Sequence, residues 1–348
     1  MSAPERVDDA VLEDLRRRLR ATRRVRVPEV AAWSRGTDTE ALDELLARWA
    51  DFDWRGPEER IRSWPWVSSA LRAVVQRSGG PAVVLLHGWP DSVLRYERVL
   101  PLLTGADVVV PALPGFPFSD PLTEPGTTTE VMADLVAATM ADLGYERYVV
   151  SGGDIGSRVA HQLAARHPEH VAALHLTDIP LGTLFALDPA DLSAPERDYL
   201  EVVRRWRATE GGYSAEQSTK PHTLAVGLGD SPAGLAAWIG EKLHSWSQHG
   251  LGAADGFGYD DALTWITAYW VTGTIGTSFG PYVEPRSLVG PVDTPTAVTQ
   301  FAHDLVRAPR EYGERSFDVR SWEVVEAGGH FGAWERPADF VAGLRKVL

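Results

Sequence analysis

Three apolar runs in the first half of the chain, each closed by glycine or proline, restrict the fold more than any other feature. "PAVVLLHGWP" reads as a buried strand ending in a tight turn at Gly88 and Pro90. "ADVVVPALPGFPFSD" repeats that form, with a strand over 108–110 and a loop after it. "RYVVSGGDIGS" is strand, turn and helix start, and "VAALHLTDIP" is a further strand. A helix is expected over 130–143. Continuous apolar strands alternating with helices imply an α/β fold with a mostly parallel central sheet covered on both faces.

The alternation stops after Leu181. Residues 183–290 read as mostly helical with Gly-rich loops. A strand returns after "GPVDTPTAVTQF", another follows in "SFDVRSWEVVEAGGHF", and a helix over 337–347 closes the chain. The core is therefore expected over 69–182 and 291–348. The segment 183–290 is expected to be a helical lid inserted between the sixth and seventh core strands, over the strands' carboxyl ends, where open α/β sheets bind ligands. Residues 1–68, with helices over 7–23 and 39–49, form an N-terminal extension that packs on the rest. A strand is expected within 69–76, and "LRAVVQRSGGPAV" leaves room only for a tight hairpin.

Composition excludes several functions. The 348 residues contain no cysteine, so disulfides, thiolate metal sites and cysteine nucleophiles are ruled out. A net charge of −14 repels phosphate backbones, which argues against a nucleic-acid partner. The basic residues over 16–26 read as a solvated helix face. No run is long and apolar enough to span a bilayer, and the start of the chain lacks a signal-peptide core. Cytoplasmic residence is the expectation, with a homodimer left open.

The spacing Gly152-x-Asp154-x-Gly156 has the form of a nucleophile elbow with a carboxylate where serine usually stands. A serine needs a base to remove its proton; an aspartate is already ionised at neutral pH. Its attack on an acyl carbon would give an anhydride, whereas attack on an alkyl carbon gives an ordinary ester. The electrophile is therefore an alkyl carbon carrying strain or a leaving group, an epoxide or a haloalkane. Hydrolysing that ester requires a base and an oxyanion hole. His330, in the glycine-flanked loop of "EAGGHFGAWERP", stands in the chain order for the base. The amides of Trp89, in HGWP, and Ile155 are candidates for the oxyanion hole. Asp304, in "TQFAHDLVRAP", and Asp178, in "LHLTDIP", are the two candidates for the acid that orients the histidine, with Asp304 favoured by chain order.

Five motifs in order, HGWP, GGDIGS, "YSAEQSTKPHTLAVGLGDSPAGLAAWIGEK", "YWVTGTIGTSFGPY" and GGHF, resemble the microsomal-type epoxide hydrolases. The first helices and "FDWR" resemble that family's N-terminal extension. The resemblance implies an α/β-hydrolase core and the opening of an epoxide to a vicinal diol without cofactor or metal. It also implies that Tyr213 and Tyr282, on the lid, share a proton with the opening ring oxygen; Tyr269 is the spare candidate. The chain departs from the family in Ile155, where tryptophan is common, in an aspartate rather than a glutamate as Asp304, and in the preceding His303.

Two rivals share this core. A haloalkane dehalogenase would need halide donors, but Ile155 occupies the usual tryptophan position and the chain has no asparagine. A non-hydrolytic epoxide cyclase or binding protein would keep the tyrosines. Trp238, Trp246, Trp265, Trp270 and Phe279 suggest a bulky apolar or aromatic epoxide, although several of them must be core. The Arg- and Ala-rich, Asn-free composition suggests a GC-rich bacterial genome, with detoxification or secondary metabolism as the setting.

Overall fold

The computed structural model describes residues 3–122, 124–284 and 287–348. The sheet has eight strands: β1 Trp66–Ser68, β2 Arg72–Gln76, β3 Ala82–Leu86, β4 Asp107–Pro111, β5 Tyr148–Gly152, β6 Val171–Leu176, β7 Val292–His303 and β8 Phe317–Gly329. Their spatial order is β1-β2-β4-β3-β5-β6-β7-β8. The β1–β2 and β2–β4 pairs are antiparallel, and every later pair is parallel. Strands β3, β4 and β5 are buried along their whole length, which is why they read as unbroken Val/Leu runs rather than alternating ones.

One expectation is corrected. The segment before HGWP is not a hairpin of β2 with β3. Strand β4 lies between those two and pairs with both. The tight hairpin is one element earlier, where Ser68 pairs with Arg72. Local spacing could not reveal this, because the intervening strand, Asp107–Pro111, follows both of its neighbours in the chain.

Helices α1 Asp9–Arg20, α2 Thr39–Asp51 and α3 Arg55–Arg62 precede the sheet. Asp8 caps α1 by accepting the Ala10 N–H at 2.9 Å, and α1 buries Leu12, Leu15 and Leu19, one stripe at helical spacing. Helix α4 Thr129–Asp142 joins β4 to β5, and α5 Ile155–Arg166 joins β5 to β6. Between β6 and β7 come α6 Ala194–Thr209, α7 Gly212–Thr219, α8 Pro221–Asp230, α9 Pro232–Ser245, α10 Tyr259–Thr272 and α11 Gly280–Val283. Short helices α12 Arg310–Glu314 and α13 Gly332–Glu335 follow, then α14 Pro337–Leu344. The N-terminal helices hold the inserted ones by polar contacts. Trp49 Nε1 donates to Thr267 Oγ1 at 2.8 Å, Thr37 Oγ1 donates to the Ala237 carbonyl at 2.8 Å, and Arg18 pairs with Asp230 at 2.7 Å. Among the described residues, no helix is long and apolar enough to cross a membrane.

The turn from β5 into α5 depends on missing side chains. Asp154 sits at φ 55°, ψ −121°, a costly backbone state for any residue other than glycine. A Cβ on Gly156 would lie 2.0 Å from the Leu86 carbonyl oxygen, and one on Gly152 would lie 2.4 Å from the Gly156 carbonyl oxygen. Both obstacles are backbone, so neither can rotate away. Gly156→Ala is therefore expected to destabilise the fold by at least about 2 kcal/mol in urea denaturation, at the upper end for overpacking. A change below about 0.5 kcal/mol would show that α5 does not seat this closely on β3.

Candidate active site

Asp154 stands at the centre of the elbow with its side chain 18% exposed. Its Oδ1 accepts the Trp89 backbone N–H at 2.8 Å. That approach requires Gly88, since a Cβ there would fall 2.4 Å from Asp154 Oδ1. Ile155 opens α5 and is fully buried, so its amide lies in the helix's first turn, where N–H groups have no intrahelical acceptor.

His330 follows β8. Its Nε2 lies 4.0 Å from Asp154 Oδ2, and its Nδ1 lies 2.9 Å from Asp304 Oδ1. Nε2 is buried and has no hydrogen-bond partner among the described residues. Burial works against the charged imidazole, but the Asp304 and Asp154 carboxylates outweigh it and raise His330 above its ordinary value. Asp178 is placed elsewhere. It follows β6 and accepts the Asp154 backbone N–H at 2.9 Å and the Ser157 hydroxyl at 3.3 Å. Complete burial, with the charges of Asp304 and Asp154 added, pushes its carboxyl up to about 7. Of the two candidate acids, Asp304 reaches the histidine, and Asp178 braces the strained residue that carries the carboxylate.

The tyrosines arrive from two inserted helices. Tyr213 on α7 and Tyr282 on α11 have ring centroids 6.0 Å apart. Trp89 stacks on Tyr213 at 5.3 Å and meets Tyr282 edge-on at 6.1 Å. Trp246 packs against Trp89, Tyr213 and His330. Burial, then the neighbouring Tyr213 and the Asp154 charge, raise Tyr282 well above its ordinary value, so it is held as a phenol. Tyr269 stands apart, donating its hydroxyl to the Asp91 carbonyl at 3.0 Å. Of the five aromatics expected as pocket walls, Trp246 joins this cluster. Trp265 packs on Phe257, Phe331 and Trp334, and Phe279 is fully buried.

Sequence reasoning missed a buried ion pair beneath HGWP. Asp91 accepts the Gly88 N–H at 2.7 Å and pairs with Arg95, whose guanidinium donates to the His330 carbonyl at 2.9 Å. The pair ties the loop of Trp89 to the loop of His330. The only signal was the i,i+4 spacing within "DSVLR", which looks the same on a solvated helix. Among the described residues, no group of His, Asp and Glu could hold a metal ion.

Residues 3–96 match the family described as epoxide hydrolase N terminus, and residues 81–222 match that described as alpha/beta hydrolase fold. The juvenile hormone epoxide hydrolase of Manduca sexta is 30% identical over 378 residues, spanning 95% of this chain and 81% of that protein. Epoxide hydrolase 1 of Sus scrofa is 27% identical, spanning 98% of this chain and 86% of that protein. The solved structure of Aspergillus niger epoxide hydrolase aligns with a TM-score of 0.84 at 27% identity, over 99% of this chain and 95% of that one. With a carboxylate on the elbow, a histidine beside it and an N-terminal extension of matching type, the chain belongs to the epoxide hydrolases of the α/β-hydrolase fold.

Proposed function

We propose that the chain opens an epoxide to a vicinal diol through an ester on Asp154. One observation carries this reading. The two oxygens of the Asp154 carboxylate have different surroundings, Oδ1 on the Trp89 amide at 2.8 Å and Oδ2 facing His330 Nε2 at 4.0 Å.

Oδ2 attacks a ring carbon, the carbon–oxygen bond of the ring breaks, and Tyr213 or Tyr282 gives its proton to the leaving oxygen. A strained ring still releases an alkoxide, a poor leaving group, so this proton transfer lowers the barrier. Oδ1 stays on the amide and becomes the carbonyl oxygen of the ester. His330, oriented by Asp304, then takes a proton from water. Hydroxide adds to the ester carbon, and the negative charge develops on Oδ1, where the Trp89 and Ile155 amides receive it. Collapse breaks the bond between the ester carbon and Oδ2. The product alkoxide takes the proton from His330, and the proton of the new Asp154 carboxyl restores the tyrosine through solvent. The inserted helices act as a lid that brings the tyrosines to the ring.

His330→Gln should stop the second half-reaction and leave the first. Intact mass after incubation with styrene oxide is expected to show protein heavier by one epoxide, with turnover lowered by about 10²–10⁴-fold. An inactive variant with no adduct would contradict the role given to His330.

Acidity separates the two steps as well. The working base is neutral imidazole, which is lost as pH falls; in the ester the Asp304 carboxylate still favours the imidazolium, while the Asp154 charge that also favours it in the free enzyme is gone. Rapid-quench measurements from about pH 8 to about pH 6 are expected to show ester hydrolysis slowing towards tenfold per unit, while ester formation changes less and the adduct accumulates. Adduct that instead builds up at high pH would overturn the assignment.

A further inference from the structure

The loop that carries His330 is held from the side of the inserted helices as well as from the core. Strand β8 is the last strand of the sheet, so no further strand lies beyond it to take up its backbone amides. At its end, three successive amides are taken up by other parts of the chain. Gly328 N–H donates to Gln248 Oε1 at 2.6 Å, Gly329 N–H to Glu335 Oε1 at 3.0 Å, and His330 N–H to the Trp246 carbonyl at 2.7 Å. Trp246 and Gln248 belong to the segment that leaves α9. The approach is so close that a Cβ on Gly329 would lie 2.4 Å from the Trp246 carbonyl oxygen.

Glu335 closes the arrangement. It ends α13, and its second oxygen, Oε2, accepts the Gln248 backbone N–H at 2.8 Å. One carboxylate thus bridges the residue before His330 and the segment whose Trp246 ring packs on the imidazole, with centroids 5.2 Å apart. Burial raises the Glu335 carboxyl above its ordinary value, opposed by the amides that it accepts. Seating α13 would need only an apolar side chain, which avoids the cost of burying a carboxylate. What the carboxylate adds is a pair of charge-assisted hydrogen bonds, each roughly twice as strong as a neutral one. On the other side of the loop, Arg95 donates to the His330 carbonyl at 2.9 Å, so both polar groups of the His330 backbone are fixed.

We propose that Glu335 and Gln248 are positioning residues for the base, clamping the His330 loop to the segment after α9 so that Nε2 is aimed at the ester on Asp154. The inference rests on the hydrolytic reading above. Ring opening uses the Asp154 carboxylate, on the elbow, and the tyrosines, on α7 and α11. The amides that the clamp accepts belong instead to the His330 loop and to its strap. Loosening the clamp therefore slows the second half-reaction and leaves the first, and a misplacement of about 1 Å is enough for a loss on the order of 100-fold.

Glu335→Gln tests it, because one acceptor oxygen becomes an amide group that faces an N–H. When only the hydrolysis of a covalent intermediate slows, kcat and KM fall together and kcat/KM, which reports ring opening, holds. With styrene oxide, rapid quench is expected to show the ester decaying about 10- to 100-fold more slowly than in the wild type, with kcat/KM within about threefold. A variant that is merely less folded would lose kcat and kcat/KM in step, with KM unchanged. That result, or wild-type kinetics, would overturn the clamp. If Glu335→Gln fails to fold by circular dichroism, Gln248→Met, which removes the acceptor of the Gly328 N–H, carries the same test with the same two outcomes. His330→Gln keeps the claims apart. If it traps ester and the clamp variants do not, only this inference fails; if it traps none, the hydrolytic reading falls first.

Discussion

The site depends on keeping one carboxylate in a backbone conformation that it would not choose. Asp154 stands at φ 55° because three neighbours have no side chain: Gly88 lets the HGWP backbone touch the carboxylate, while Gly152 and Gly156 let the elbow close on β3. The strain is held by several contacts. The Asp178 carboxyl accepts the Asp154 N–H from below, and the Asp91–Arg95 pair fixes the loops of Trp89 and His330 against each other. Strain of this kind persists only where surrounding contacts over-determine it, and here every contact serves the position of one oxygen pair.

The charge balance is equally specific. Three carboxylates, those of Asp154, Asp178 and Asp304, interact electrostatically around a single buried imidazole. Their crowding has two effects. Added to burial, the larger cause, it pushes Asp178 up to about 7, and through Asp304 and Asp154 it raises His330 against the pull of burial. On the proposed mechanism, the ester removes one of those charges at the moment when His330 must act as a base. A neutral Asp154 ester supports the imidazolium less than a carboxylate does, so forming the intermediate itself favours neutral imidazole. On that mechanism the two half-reactions are coupled through this change of charge.

Much of this could be read from the chain, and the exceptions have a common cause. The elbow, HGWP and the GGHF loop were legible because each is a local pattern in which glycine or proline forces a turn after an apolar strand. The antiparallel edge was not, because β4 enters between β2 and β3 from a distant part of the chain. Asp178 and Asp304 both follow core strands, and only the neighbouring order of β6, β7 and β8 decides which faces the histidine loop. Helix α3 was hidden by a polar composition, RGPEERIR, that buries little beyond Ile61 and Glu58. Tryptophan content could not separate wall from core. Trp246 and Trp265 are both fully buried, yet one packs on His330 and the other on Phe257.

The central claim is that a bond forms between Asp154 and the substrate before water takes part. A single turnover in heavy-oxygen water, with enzyme in excess over epoxide, tests it most directly. The account predicts a diol whose new hydroxyl carries ordinary oxygen, drawn from the enzyme, and a heavy oxygen left in the peptide that contains Asp154. Heavy oxygen in the diol on that first pass, with the peptide unlabelled, would contradict it.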